Sequence, residues 1–533
     1  MKFLKKSPAL FVIGAILTLI ITCAVPGRPD QTESYLNFPE KLTPITPYDV
    51  DTALESKLIN AQKFGEVQRI FEVLSWQMFI SLNWPLDKDG KPAADISDTG
   101  HRTWERWKES YEIFRDSGAT PKPWGSQADL PNSLRGKVNP GDNEELLFRT
   151  SKFTSFDQTK FKINPKGKRP APQLRDDIDQ AFTSAIWDQR GHVVRYEIRL
   201  NKPTVDYIVK NDLYNIDGQI LFSSQKKVVS FPISTMADAG AIELKFAWKI
   251  MVRDSDAMER YFTKRVKVLD SNQKVHEATV GLVGMHIGIK TVSSPQWIWA
   301  TFEQVDNVET NALTKVDGHY LRPSFNNPDN STLPINVFPT NHPLKNQVQR
   351  VIPIPIATQE LNRQVQSVLN KNNSFWQYYQ LIGTQWPTQP KAAAYPLCPA
   401  TYKLPDAVTN KSGGMPVPTY LTNMVMETYF QGETVGGDTT SKYNMLIANE
   451  PAYFQIEGNP KDTNKKAAVN QIIFGTEGCI GCHSSASIAV GYSWVGKEKS
   501  ANFGDARTGD FEWLMQRKAQ FLPYKAPVTR GKK

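Results

Sequence analysis

The sequence predicts an α+β chain, with amphipathic helices near the N-terminus, a central antiparallel β-rich domain and a mostly helical C-terminal region. Three observations point there. Apolar residues recur at helical spacing over 64–78 and 361–369, they alternate at strand spacing between about 180 and 310, and Pro- and Asn-rich stretches separate these blocks. The chain has 533 residues, 40% of them hydrophobic, enough for about two to four domains with buried cores. A disordered tail protein or a disulfide-stapled miniprotein is therefore excluded. The net charge of +9 is modest and dispersed, and three of the lysines fall within the first 24 residues, so the balance does not indicate a nucleic-acid partner.

Residues 1–24 read as an export signal. Lys2, Lys5 and Lys6 form a positive start, and the apolar run from 9 to 21 has the length of a signal-peptide core. Pro26, Gly27, Arg28, Pro29 and Asp30 end any helix beyond it. Ile20-Ile21-Thr22-Cys23 resembles a loose lipobox, which makes Cys23 the expected lipidated residue. Cleavage near Thr22-Cys23-Ala24 to free a soluble protein, and retention as an uncleaved anchor, are the competing outcomes. No second run approaches the ~18 apolar residues of a membrane span.

Residues 25–54 carry Pro26, Pro29, Pro39, Pro44 and Pro47 and read as a tether. Over 55–176 the chain is helical and then irregular. Phe64, Val67, Phe71, Leu74 and Met78 form one stripe of a helix that Asn83-Trp84-Pro85 stops, and Trp104, Trp107, Tyr111 and Phe114 repeat the pattern. Lys160, Lys162, Lys166, Lys168, Arg169 and Arg175 make a basic stretch, read as a solvated loop rather than a docking patch.

Residues 177–350 form the β-rich domain. After the turn Asp188-Gln189-Arg190-Gly191, Val194, Tyr196, Ile198 and Leu200 alternate with Arg195, Glu197 and Arg199, as in a half-buried hairpin strand. Ile242 to Val252 repeats the alternation with Glu243, Lys245 and Lys249 on the other side, and 279–289 is nearly continuous in apolar residues and glycine, as in a strand covered on both faces. Residues 297–304 follow as its hairpin partner. The last block, 351–533, opens with a helix marked by Leu361, Val365, Val368 and Leu369. Residues 375–386 are suited to pairing with the sheet, 387–418 are Pro-rich and enclose Cys398, read as a buried free thiol, and 421–431 reads as a helix.

The sharpest chemistry is in Gly478-Cys479-Ile480-Gly481-Cys482-His483. C-x-x-C-H is the attachment pattern of c-type haem: two thiols two residues apart reach the two vinyl groups of one porphyrin, and the adjacent imidazole meets the iron. A thioredoxin-like pair would need a βαβ context, which is missing, and a structural zinc site would need a second Cys pair. One covalent haem c per chain, held by Cys479 and Cys482 with His483 as proximal iron ligand, is therefore expected, and export suits its assembly.

The motif, with Ser75-Trp76-Gln77-Met78-Phe79, Asn83-Trp84-Pro85, Met285-His286-Ile287, the run 295–303 and Met426-Glu427-Thr428, resembles large bacterial proteins known as cytochrome c family proteins. The resemblance implies covalent haem in a small C-terminal cytochrome c-like domain and an exported location, and no particular reaction. Fifty residues follow His483, fewer than a small soluble cytochrome c carries after its motif, so the haem domain must recruit upstream sequence.

For the sixth iron ligand the sequence offers Met515, in a short helix after the motif, with Met424, Met426, Met445 and His286 as rivals. His286, in phase with Val280 and Leu282, reads as a core histidine or as a group facing a cavity. Glu303 is in phase with Trp297 and Trp299, and Glu243 and Lys245 share a face; they read as ion pairs on the open side of the sheet or as a pocket lining. The expected function is single-electron transfer with periplasmic redox proteins, from a chain tethered to the membrane through Cys23. A haem enzyme with an open iron site, and a haem-based sensor or binding module, are the alternatives.

Overall fold

The computed structural model describes residues 36–61, 63–126, 130, 134, 136, 145–147, 186–253, 256–269, 274–310, 313–316, 318–329, 335–336, 347–350, 354–386, 423–428, 483, 486–496, 498–504 and 508–523. The leader with Cys23, the basic stretch at 160–175, Cys398, Met445, Cys479 and Cys482 lie outside them.

In chain order, helix α1 (Thr52–Asn60) starts at Asp51, whose carboxylate accepts from the Ala53 and Leu54 amides. Helix α2 (Phe64–Leu82) ends at Asn83, whose side chain donates to the Phe79 carbonyl at 2.8 Å, so the stop read at Asn83-Trp84-Pro85 holds. The aromatic stretch after it is no continuous helix. It is a 3-10 turn at Thr103–Arg106, strand β1 (Lys108–Glu109) and a single turn α3 (Ser110–Ile113). Strand β2 (Leu146–Leu147) and strand β3 (Arg195–Leu200) follow. Two helices the sequence reading lacked come next, α4 (Lys202–Lys210) and α5 (Ile216–Ser224), capped by the side chains of Asn201 and Asn215. The sheet continues with β4 (Ile242–Ile250), β5 (Thr263–Leu269), β6 (Val275–Ile289) and β7 (Ile298–Gln304). A small hairpin, β8 (Thr314–Val316) and β9 (His319–Arg322), precedes helix α6 (Ile356–Lys371) and strand β10 (Tyr379–Gln385). The C-terminal described residues hold the hairpin β11 (Ala489–Val495) and β12 (Glu498–Phe503) and helix α7 (Leu514–Lys518).

One eight-stranded sheet organises the molecule. β6 is its spine: β4, β3 and β1 extend from one edge, while β5 with β2 and β7 with β10 share the other. All pairings are antiparallel except β2 with β5, so the sheet is mixed and the class is α+β. The expected pairing of 375–386 is seen as β10 against β7. On one face Leu244, Phe246, Trp248, Met285, Ile287 and Phe302 meet Trp76 and Phe79 of α2 and Leu361 of α6 in a continuous apolar core. Asn362 fastens that layer. Its amide oxygen accepts from the Trp76 indole at 3.0 Å and from the Leu381 amide at 3.1 Å, and its amide nitrogen donates to the Leu381 carbonyl at 2.8 Å.

Four expectations need correction. His286 does not share a face with Val280 and Leu282, because Ala247 opposes Gly284 while Trp248 opposes Leu282. Val283 is therefore an extra residue in β6, and such a bulge turns every later side chain to the other face. β3 is buried along its whole length rather than half-buried; Glu197 accepts from the Trp248 indole and pairs with Arg199 and Lys264. Residues 423–428 are turns, not helix. In the C-terminal block the described residues carry β10 and the hairpin β11–β12 beside helices α6 and α7, where mostly helix was expected; the remainder of 351–533 lies outside the described residues.

Candidate functional site

The second face of the sheet carries the site, and the register of β3, β4, β6 and β7 builds it in rungs. Leu200, Glu243, Gly288 and Trp299 stand abreast, then Ile198, Lys245, His286 and Thr301, then Tyr196, Ala247, Gly284 and Glu303. Residues an even number apart on one strand, and directly opposed across strands, point to the same side. Glu243 and Lys245 thus share a face with Trp299 and His286, although Glu243 is 56 positions from Trp299 and Lys245 is 41 from His286 in the chain.

His483 is set down on this surface. It is buried, its ring centroid is 4.1 Å from that of Trp299, and its Nε2 is 3.4 Å from Lys245 Nζ. Its Nδ1 is 2.7 Å from the Phe511 carbonyl oxygen. A carbonyl only accepts, so Nδ1 carries the proton and Nε2 presents a lone pair toward Lys245. Lys245 also pairs with Glu243 at 3.0 Å.

Glu243 meets a second acid, Glu512. Burial drives the Glu512 carboxyl well above its usual range and the neighbouring Glu243 charge adds to the rise. Burial also raises Glu243, but Lys245, the hydrogen bond from Glu512 and His483 outweigh it, and the net shift is downward. The pair therefore holds one proton, on Glu512, and Glu243 keeps the charge that faces Lys245. Glu243 and Lys245 were expected on an open side of the sheet. They are buried because His483, Ile488, Phe511, Glu512, Leu514 and Met515 cover it.

Polar contacts fix that cover. Gln219 of α5 donates to the Met515 and Leu213 carbonyls at 2.9 Å and accepts from the Ala489 amide at 2.9 Å. Asp510 pairs with Lys290 at the end of β6 and accepts from the Phe231 amide at 2.7 Å, while Trp297 donates to the Asp510 carbonyl at 3.1 Å. Trp297 and Trp299 stack with centroids 5.8 Å apart.

A second cover, residues 423–428, lies over the third rung. Asn423 donates to Thr301 Oγ1 at 3.0 Å and to the Phe302 carbonyl at 2.9 Å. The Met424 amide donates to Glu303 at 2.7 Å, and Glu303 is paired with Arg350 at 2.5 Å. Burial raises the Glu303 pKa against the pull of Arg350 and the Met424 amide. His286 Nε2 lies 3.2 Å from Glu427, with 12% of the histidine side chain exposed.

The residues named from sequence thus fall into three places. His483, Lys245, Glu243 and Trp299 come together. His286 and Glu303 face Glu427 and Arg350 on the same surface. Met515 is fully buried in the apolar cluster with Ile488, Phe511, Leu514, Trp297 and Trp299, while Met424 and Met426 pack in another with Tyr196, Val283 and Val425. Sequence reasoning missed Glu427, Glu512, Asp510 and Lys290. An acid set between aromatics, Phe511-Glu512-Trp513, was the one local signal available.

The described residues fit an axial imidazole. Nδ1 is held by a carbonyl, which fixes the ring orientation and leaves Nε2 as the donor, the arrangement common to metal-bound histidines. Gly288, between Glu243 and Trp299 in the sheet, is covered by the Trp299 and Trp297 rings, 3.3 and 3.5 Å from where a Cβ would stand. Among the described residues no group of three or more His, Cys, Asp or Glu side chains is arranged to hold a bare metal ion, and no helix is long and apolar enough to cross a membrane. In comparisons with known proteins no family model, no curated protein and no solved structure matches the chain.

Proposed function

We propose that the chain is an exported c-type cytochrome that carries one covalent haem and passes single electrons to or from redox proteins of the periplasm. The observation that carries this reading is the C-x-x-C-H at 479–483. Cys479 and Cys482 would hold the porphyrin by thioether bonds and His483 would be the proximal ligand. Bound haem supplies the one-electron couple that no side chain here provides.

The surroundings of His483 support the reading. The Phe511 carbonyl accepts from Nδ1 and so fixes the orientation of the imidazole, and the Trp299 ring lies 4.1 Å from it, centroid to centroid. Ile488, Phe511, Leu514 and Met515 close over this part of the sheet, which suits a centre whose potential depends on burial. The leader implies export, and lipidation at Cys23 would add a membrane tether.

One observation favours a haem enzyme as a second reading. His286 and Glu427, a histidine–carboxylate pair with part of the ring exposed, stand in the rung next to Trp299, where such a pair could move a proton. Two measurements decide. Acid-acetone extraction should leave haem on the denatured chain, and its release would end the cytochrome reading. Rapid carbon monoxide binding by the reduced protein would favour the enzyme over the carrier.

A further inference from the structure

We propose that one end of the sheet, where β4 and β7 begin and β6 ends, rests on a lipid surface through an apolar patch of Ile45, Tyr48, Ile233, Met236 and Val292. The inference rests on the export and the Cys23 tether proposed above and goes beyond them, because it gives the tethered molecule a fixed membrane-facing side.

Three segments build the patch. Ile242, Ile289 and Ile298 stand abreast at this end of the sheet. Residues 232–241 run beside it: the Ser234 amide donates to the Lys290 carbonyl at 2.8 Å, and the Lys290 amide donates to the Ala241 carbonyl at 3.1 Å. Residues 291–294 turn from β6 toward β7, and there the Ser293 amide donates to Asp49 at 2.9 Å while the Ser293 hydroxyl binds the same carboxylate. That contact ties the arm 36–50 to the same end. Among the described residues each segment leaves apolar side chains in solvent. Met236 is 82% exposed, Ile45 74% and Val292 64%, and Tyr48 and Ile233 are exposed as well. Singly such residues are ordinary on a surface, whereas a group of them on three hydrogen-bonded segments marks a contact face. A closed turn presents Met236: the Thr235 amide donates to the Asp238 carbonyl at 2.8 Å and the Asp238 amide to Thr235 Oγ1 at 3.1 Å.

The arm says what covers the patch. It supplies Ile45 and Tyr48, and it is the segment that leads back to Cys23. Leu36, where the described arm starts, is 13 positions from Cys23. An extended chain of that length reaches at most about 45 Å. Acyl chains on Cys23 would therefore keep the arm, and the end of the sheet it is tied to, close to the bilayer. The side chains suit that surface. Methionine and the branched residues fit the acyl boundary, and tyrosine belongs at headgroup level. Charge adds little: Lys290 is paired with Asp510, and Asp238 is the one charged residue of 232–241. The contact is therefore apolar and does not depend on anionic lipid.

The test uses the mature chain with Cys23→Ser behind a cleavable leader, so that neither acyl chains nor leader hold it to lipid. It should float with phosphatidylcholine vesicles equally at low and high salt. Met236→Ser combined with Val292→Ser should weaken binding about tenfold. Leu313→Ser, past the far end of β7 and 52% exposed, should leave it unchanged. All three side chains are exposed, so circular dichroism should show the fold intact in each variant. Absence of flotation, or equal flotation of the double variant, overturns the proposal. So does a dimer in sedimentation that the double variant loses, which would make the patch a contact between two copies. Failure of Met236→Cys to react with a water-soluble maleimide, read by peptide mapping, overturns it too, since the chain itself would then cover the patch. Wild type without an acyl group on Cys23 would bring down the tether reading, and flotation of the Cys23→Ser chain would still decide the patch.

Discussion

Gly284 lies directly beneath the cover over the third rung. A Cβ built there would lie 2.9 Å from a Val425 methyl and 3.1 Å from the Asn423 amide, which is held by Thr301 and Phe302. Gly284→Ala should therefore destabilise the protein by about 1–2 kcal/mol, the crowding being offset in part by the backbone entropy that alanine saves. Gly288→Ala, where the nearest atoms are 3.3 and 3.5 Å away on Trp299 and Trp297, should cost less. Equal losses in denaturant titrations of the two variants would refute the crowding argument. Asp510 makes a different prediction. Burial pushes its carboxyl from 3.8 up to about 6, against the pull of Lys290 and the Phe231 amide. Between those pH values the native chain holds a proton that the unfolded chain has released. Stability is then greatest below the lower value and falls as pH rises through about 6, by up to ~1.4 kcal/mol per pH unit. Asp510→Asn cannot titrate, so the difference between its stability and that of wild type should vary over this window and flatten above it. A constant difference from pH 4 to 7 would show that Asp510 is not the group responsible.

At the scale of elements, Asn362 joins α6, α2 and β10 through the Trp76 indole and both backbone groups of Leu381. Asn362→Leu keeps the volume but strands three buried polar groups, and a loss of about 2–4 kcal/mol is expected in urea unfolding. Stability within 0.5 kcal/mol of wild type, roughly the scatter of a neutral surface change, would mean that the clamp contributes nothing. These elements were also the legible ones. The stripe from Val67 to Met78 and that from Leu361 to Leu369 announced α2 and α6, the alternation in 242–250 announced β4, and the place of 297–304 directly after the apolar run 279–289 announced β7. What failed to read has local physical causes. Val283 shifts the phase of β6, and nothing in Gly281 to Gly284 distinguishes a bulge from a flexible strand. Met424 and Val425 sit at helical spacing, and Asn423 accepts from the Val425 amide with its side chain and from the Glu427 amide with its carbonyl, as at a helix start, yet residues 423–428 go no further than turns, the Met424 amide being held by Glu303 on the sheet. α4 did carry its signal in Asn201-Lys202-Pro203, a cap followed by proline in the first turn. In the site, His483 was legible from its motif alone. Its neighbours were not, because 243–245, 299 and 512 meet only through sheet register and a cover that joins distant parts of the chain.

The sheet and its C-terminal cover form one structural unit. The apolar cluster under the cover takes Ile113 from α3, Ile198 and Leu200 from β3, Val205 and Ile208 from α4 and Phe231, and closes them with Ile488, Phe511, Leu514 and Met515. Those last four side chains, each buried to 5% exposure or less, stabilise the fold by about 1.5–3 kcal/mol apiece. Together they contribute roughly as much as the whole net stability of a typical domain, about 5–15 kcal/mol. Removing them also uncovers Glu243, Lys245 and Trp299, and leaves Gln219 without the Met515 and Ala489 backbone groups. A chain ending at residue 386 keeps every strand of the eight-stranded sheet yet should lack a stable fold, with dye-binding apolar surface and no sharp thermal transition. The full chain should unfold in one step, the tryptophan fluorescence of the sheet and the far-ultraviolet circular dichroism changing at the same denaturant concentration. A truncated chain that melts cooperatively within a few degrees of the full one would show instead that the sheet stands alone and that the cover is a separate module resting on it.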